Sequence, residues 1–141
     1  KNIKKSIYYK EQANYSEIIK FVKRVKQNKE KTVNFIKENV KRGKKIFIYG
    51  ASTKGNTLLQ YYGLTNKEIP FAAERTKAKW GKYTIGSGVK ILSEEKARKL
   101  KPDYFFVMPY GFIKEFVKRE KKWLKSGGKF LLPYPSFKIV K

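Results

Sequence analysis

The stretch Lys45-Ile46-Phe47-Ile48-Tyr49-Gly50-Ala51-Ser52-Thr53-Lys54-Gly55-Asn56-Thr57-Leu58-Leu59 constrains the fold of this chain more than any other. Ile46 to Tyr49 are bulky and β-favouring without alternation, the pattern of a strand covered on both faces. Gly50 ends the run, and Gly55 is a second place where no Cβ obstructs a sharp turn of the backbone. Ser52, Thr53 and Asn56 are good N-cap types for a helix that starts at Thr57 or just before it. Such a strand-to-helix turn directs backbone N–H groups and the helix dipole at one spot, which favours a phosphate or another anion. It matches neither familiar phosphate loop. A dinucleotide fingerprint has glycine where Ser52 stands, and a P-loop has its lysine after the second glycine, where Asn56 follows Gly55 and Lys54 precedes it. A tight connection with no ligand satisfies the same residues.

Around this turn the chain alternates strand and helix patterns. Residues from about Tyr15 to Arg42 read as one long helix or two short ones. Ile18, Val22 and Val25 lie on one face, which Val33, Ile36 and Val40 resume after a polar break near Asn28. Residues 1–14 read as a lead-in and 15–141 as a single domain. A second strand is expected within Glu68–Ala73, closed by Glu74-Arg75, where an acidic residue in a βαβ unit often holds a ribose hydroxyl. The glycine- and aromatic-rich run Lys79–Gly88 reads as a shaped loop. Val89–Leu92 is a strand, Ser93 caps a helix, Tyr104–Met108 is a strand, Phe112 to Leu124 is a helix, and Lys129–Leu132 is the last clear strand. The pattern predicts an α/β fold: a Rossmann-like open parallel sheet with helices on both faces, preceded by a long helix. The strand ends Gly50–Thr53, Glu74-Arg75, Pro109–Gly111 and Pro133–Pro135 should share one edge, where such sheets bind ligands.

Composition narrows the chemistry. The 141 residues contain no Cys and no His, so thiolate chemistry, histidine general-base catalysis and Cys or His metal ligation are excluded within them. No apolar run approaches a membrane span. No secretory signal pattern is visible, which points to the cytoplasm. The first residue is Lys1 rather than Met, as in a piece of a longer chain. The net charge of +24 comes from 35 basic and 11 acidic residues, which raises a nucleic-acid-binding module as one reading. Only five of the basic residues are arginines, the excess is spread along the chain, and no nucleic-acid motif is present. Weak attraction to polyanions at low salt is expected in any case. A nicotinamide-nucleotide domain is a third reading, and Ser52 in the glycine position counts against it.

The segments Gly50–Leu64, Ala73-Glu74-Arg75, Lys79–Thr84, Ser93-Glu94-Glu95, Lys101–Tyr104 and Gly127–Phe130, in this order, resemble the C-terminal domain of S-adenosylmethionine-dependent sugar C-methyltransferases. The likeness covers the chain from about Tyr15 onward. It implies a Rossmann-like domain that follows a zinc-binding region and a methyltransferase domain in one polypeptide. The whole enzyme would methylate a carbon of a nucleotide-linked keto-deoxysugar. S-adenosylmethionine, zinc and the acid–base residues would lie upstream, so no catalytic residue, metal ligand or cofactor is expected here. This domain would help to hold the nucleotide sugar. Gly50, Ser52, Thr53, Lys54, Gly55 and Asn56 would meet phosphate, and Glu74, Arg75, Lys79, Trp80, Tyr83 and Tyr110 would meet ribose, base or sugar. The chain departs from the family pattern at Gly111, where a histidine is usual, at Ile85-Gly86-Ser87 in place of Pro-Gly-Thr, and at Lys90, often a proline.

Overall fold

β1 (Ile46–Tyr49) is buried at all four residues, as a strand with neighbours on both edges and helices on both faces must be. In the computed structural model, which describes residues 2–141 and side chains from Asn14 onward, β1 pairs with β2 (Phe71–Glu74) and β4 (Tyr104–Val107). β3 (Lys90–Ser93) lies outside β2, and β5 (Lys129–Leu132) outside β4. All of these pairings are parallel. β6 (Lys138–Val140) runs antiparallel along β5 and completes the order β3-β2-β1-β4-β5-β6. The expected open α/β sheet is therefore present, with one strand more than the sequence suggests.

Side chains alternate between the two faces along each strand. Ile46, Ile48, Phe106 and Leu131 pack on one face with Ile36 of α1 (Asn2–Lys41) and Leu59 and Tyr62 of α2 (Thr53–Tyr62). Phe47, Tyr49, Phe105, Val107 and Phe130 pack on the other. There they meet Ala97 of α3 (Glu94–Lys99), Phe116 of α4 (Ile113–Arg119) and Trp123 of α5 (Lys121–Lys125). This second layer is dense in aromatic rings: Tyr49 meets Phe105 and Phe116 with centroids 4.9 Å from each, in edge geometry.

Two elements differ in their bounds from the sequence reading. The leading helix is single and begins at Asn2, so it runs through the stretch read as a lead-in. Asn28 does not break it: its amide donates to the Pro135 carbonyl at 2.8 Å and accepts from Phe137 N–H at 3.4 Å, tying α1 to the β5–β6 link. The helix expected over Phe112 to Leu124 is two helices that meet at Glu120. Hydrogen bonds from Glu120 N–H to Phe116 and from Leu124 N–H to Glu120 carry the turn through this point. What changes is the direction of Glu120, whose carboxylate is drawn inward.

Candidate functional site

Because β1 to β5 are parallel, the segments that follow them leave the sheet at one edge. The turn after β1 is capped by its own side chains. Ser52 is the N-cap of α2, and its Oγ accepts from Gly55 N–H at 3.1 Å. Asn56 N–H donates to the Ser52 carbonyl at 3.1 Å. The helix thus starts at Thr53, earlier than the sequence suggests. The N–H groups of Thr53 and Lys54 have no acceptor within the helix, as the geometry of a first turn requires, and both residues are exposed.

The two glycines have different duties. Gly50 has φ +85°, a left-handed conformation, and a Cβ there would stand 2.8 Å from Pro109 Cγ. Gly55 is not part of the turn. It is the third residue of α2, buried, and a Cβ there would stand 2.8 Å from Met108 Cγ. It lets the helix approach the end of β4, which is a packing role.

Glu74 has partners within the fold. Its side chain is 10% exposed. Oε2 accepts from Ala51 N–H at 3.0 Å and Oε1 from Thr76 N–H at 2.9 Å. Lys79 Nζ lies 3.5 Å from Oε2 and donates to the Ala51 carbonyl at 2.9 Å. Trp80 Nε1 donates to the Glu74 carbonyl at 2.8 Å. Burial alone would raise the pKa of Glu74, but the bonds from Thr76, the Lys79 charge and the Ala51 N–H outweigh it and hold the carboxyl below its ordinary value. Glu74, Lys79 and Trp80 together form a brace that fixes the turn after β1 to the end of β2.

Two clefts flank the start of α2. The first, of about 280 Å³, is lined by Gly50, Ser52, Glu74, Arg75, Lys79 and Arg119 among others. The second, of about 630 Å³, is mostly apolar and lies between α1, α2 and the segment after β5, with Lys54 and Tyr61 in its wall. Gly50, Ser52, Glu74, Arg75 and Lys79 therefore meet in one cleft, while Lys54 faces the other. Trp80 lies beside Glu74 and Arg75 on the outer side of the brace. Tyr110 packs on Tyr134 with ring centroids 4.4 Å apart. Tyr83 stands apart from these: it bridges to Lys90, the first residue of β3, and so sits toward the opposite edge of the sheet.

Sequence reasoning passes over a polar network behind the first cleft. Tyr49 OH donates to Glu120 Oε1 at 2.7 Å and accepts from Arg119 at 2.8 Å. Arg119 also reaches Glu94 at 2.8 Å, and Arg98 reaches Glu120 at 2.6 Å. Glu120 is 2% exposed. Burial, followed by the hydrogen bond to Glu120, raises the pKa of Tyr49 far above its ordinary value. The only sequence signal was Tyr49 itself, a hydroxyl in an otherwise apolar strand. Among the described residues no group of His, Cys, Asp and Glu is arranged to hold a metal. Nor is any helix among them long and apolar enough to cross a membrane.

Comparison with known proteins agrees with this architecture. The C-methyltransferase C-terminal domain model matches residues 5–135. C-methyltransferase NovU of Streptomyces niveus is 38% identical over 98 residues, which are 70% of this chain and 23% of that protein. The matched stretch thus spans about a quarter of the relative's length. With nearly its whole length inside the family model, the chain belongs to the C-methyltransferase C-terminal domain family.

Proposed function

We propose that this chain is the substrate-side domain of a C-methyltransferase that acts on a nucleotide-linked keto-deoxysugar. The chemistry of transfer belongs to another domain of a longer polypeptide. The matched length supports this division: a quarter of the relative corresponds to this fold, and three quarters are left for other parts. S-adenosylmethionine and zinc are assigned to those parts. The residues here do not fit zinc, because the chain has neither Cys nor His. Nor do they fit the methyl donor's ribose, because the carboxylate that could hold it is engaged by Ala51, Thr76 and Lys79. The reading puts the enzyme in the cytoplasm.

The observation that carries the proposal is the start of α2. Two N–H groups without helical acceptors and the positive end of a helix dipole meet at the edge of the sheet where the strands end, with Lys54 beside them on the side of the larger cleft. The Glu74 brace holds them in place. A diphosphate matches this arrangement in charge and in hydrogen-bond direction.

The test is titration with thymidine 5′-diphosphate at physiological salt. Thr53→Glu should abolish binding, because it puts a carboxylate where the phosphate would sit. Lys54→Ala should weaken it less, since an exposed lysine acts as a screened charge. If Thr53→Glu binds like the parent, the turn is only a connection. If RNA binds with a steep salt dependence and thymidine 5′-diphosphate does not compete, the domain is a nucleic-acid module instead.

A further inference from the structure

The larger cleft is not explained by a phosphate-binding turn. Its walls are aromatic: Phe21 of α1, Tyr61 and Tyr62 of α2, and Tyr134 after β5. Tyr134 is a fixed wall, because its hydroxyl donates to the Met108 carbonyl at 2.6 Å and its ring packs on Tyr110. Phe21 and Tyr61 are exposed at 58% and 42%, and Lys29 Nζ stands over the Tyr61 ring at 4.6 Å from its centroid. Lys54 and Arg24 border the same cleft, so cations stand at the margin of an apolar floor. A volume of about 630 Å³ lies within the usual range for small-molecule sites.

We infer that this cleft receives the planar ring of a nucleoside whose 5′-phosphates reach the start of α2, with Phe21 and Tyr61 as its stacking residues. The inference rests on the proposal that the turn meets phosphate and assigns the other half of the same ligand. Lys54 is the link, since it follows the N-cap of α2 by two residues and also lines the cleft. The choice of a ring follows from the walls. Aromatic side chains stack on any base and discriminate little between bases, whereas an aliphatic chain would find only Val25 and Leu58 of its own kind there. The cationic margin suits a ligand that carries negative charge at one end.

Three probes separate the two halves: inorganic pyrophosphate, thymidine and thymidine 5′-diphosphate, each titrated against the parent chain, Phe21→Ala, Tyr61→Ala and Lys54→Ala. Both aromatic side chains are exposed, so their loss leaves the core intact, which circular dichroism checks. Thymidine 5′-diphosphate should bind more tightly than pyrophosphate. Tyr61→Ala and Phe21→Ala should each weaken the nucleotide by about tenfold, the scale of one stacking contact, and leave pyrophosphate unchanged. Equal affinity for nucleotide and pyrophosphate, or nucleotide binding that ignores both aromatic substitutions, overturns the inference. Thymidine binding that depends on Tyr61, with no pyrophosphate binding and no effect of Lys54→Ala, keeps the ring site and removes the phosphate role of the turn. If no probe binds, both fall.

Discussion

Glu74 ends β2, yet it closes the turn after β1: its Oε2 accepts the Ala51 N–H at 3.0 Å. The folded protein therefore prefers the ionised carboxylate, and its pKa is lowered from the ordinary value of 4.5. The stability this supplies is fully present above the ordinary value and is lost as pH falls through the lower, folded value. Urea unfolding from about pH 7 to about pH 3 should show this decline in the parent. Glu74→Gln should reduce it, because an amide does not titrate. At neutral pH the same variant should cost about 1–3 kcal/mol, since its NH2 group faces an N–H it cannot accept from. An unchanged acid limb in Glu74→Gln would separate Glu74 from the brace.

Gly55→Ala should destabilise the chain by about 1–3 kcal/mol through overpacking against Met108. Met108 is buried, so Met108→Ala alone should cost about 2–5 kcal/mol. The two changes together should cost less than their sum, because the second makes room for the first. Strict additivity in a double-mutant cycle would place Gly55 out of contact with Met108.

Glu120 holds Tyr49 and Arg98 from a position with almost no solvent. Glu120→Ala should cost about 1–3 kcal/mol, because it leaves the buried Tyr49 hydroxyl without its acceptor, while Arg98 is 38% exposed and keeps Glu94 at 3.6 Å. Tyr49→Phe keeps the ring in the aromatic layer and removes one hydroxyl, so it should cost about 1 kcal/mol. Chemical denaturation of both variants checks the order. A larger loss for Tyr49→Phe would mean that the hydroxyl, not the carboxylate, organises the network.

Thr53→Glu serves as more than a binding test. A carboxylate in the first turn of α2 complements the helix dipole and should raise stability by about 0.3–1 kcal/mol. Loss of nucleotide binding with an unchanged or higher melting temperature would then report charge at the site, not damage to the fold.

The sheet was legible because its strands are buried on both faces and so write continuous apolar runs, Ile46–Tyr49 and Tyr104–Met108 above all. β6 was missed because three residues at an edge carry too little pattern, although Lys138-Ile139-Val140 follow a proline-bounded turn. The turn at Gly50 was legible from its punctuation alone. The duties of Gly55 and Glu74 were not, because each is set by a residue distant in sequence: Met108 packs against the one, and Ala51 donates to the other. The aromatic cleft escaped for the same reason, since Phe21, Tyr61 and Tyr134 come from three separate elements.

The leading helix has a consequence for local stability. α1 has 40 residues, about 60 Å at 1.5 Å per residue, and only its last third, around Thr32, Ile36 and Val40, lies on the sheet. From Asn14 to Arg24 every described side chain is exposed. The ion pair of Lys20 with Glu17 there is exposed and contributes little. A stretch of helix that buries little side-chain surface is held mainly by its own hydrogen bonds, which are marginal in water. Amide protons between Asn14 and Arg24 should therefore exchange with solvent orders of magnitude faster than those between Thr32 and Val40. Protection along one continuous helix would then fall steeply from the end packed on the sheet toward the end that leaves it.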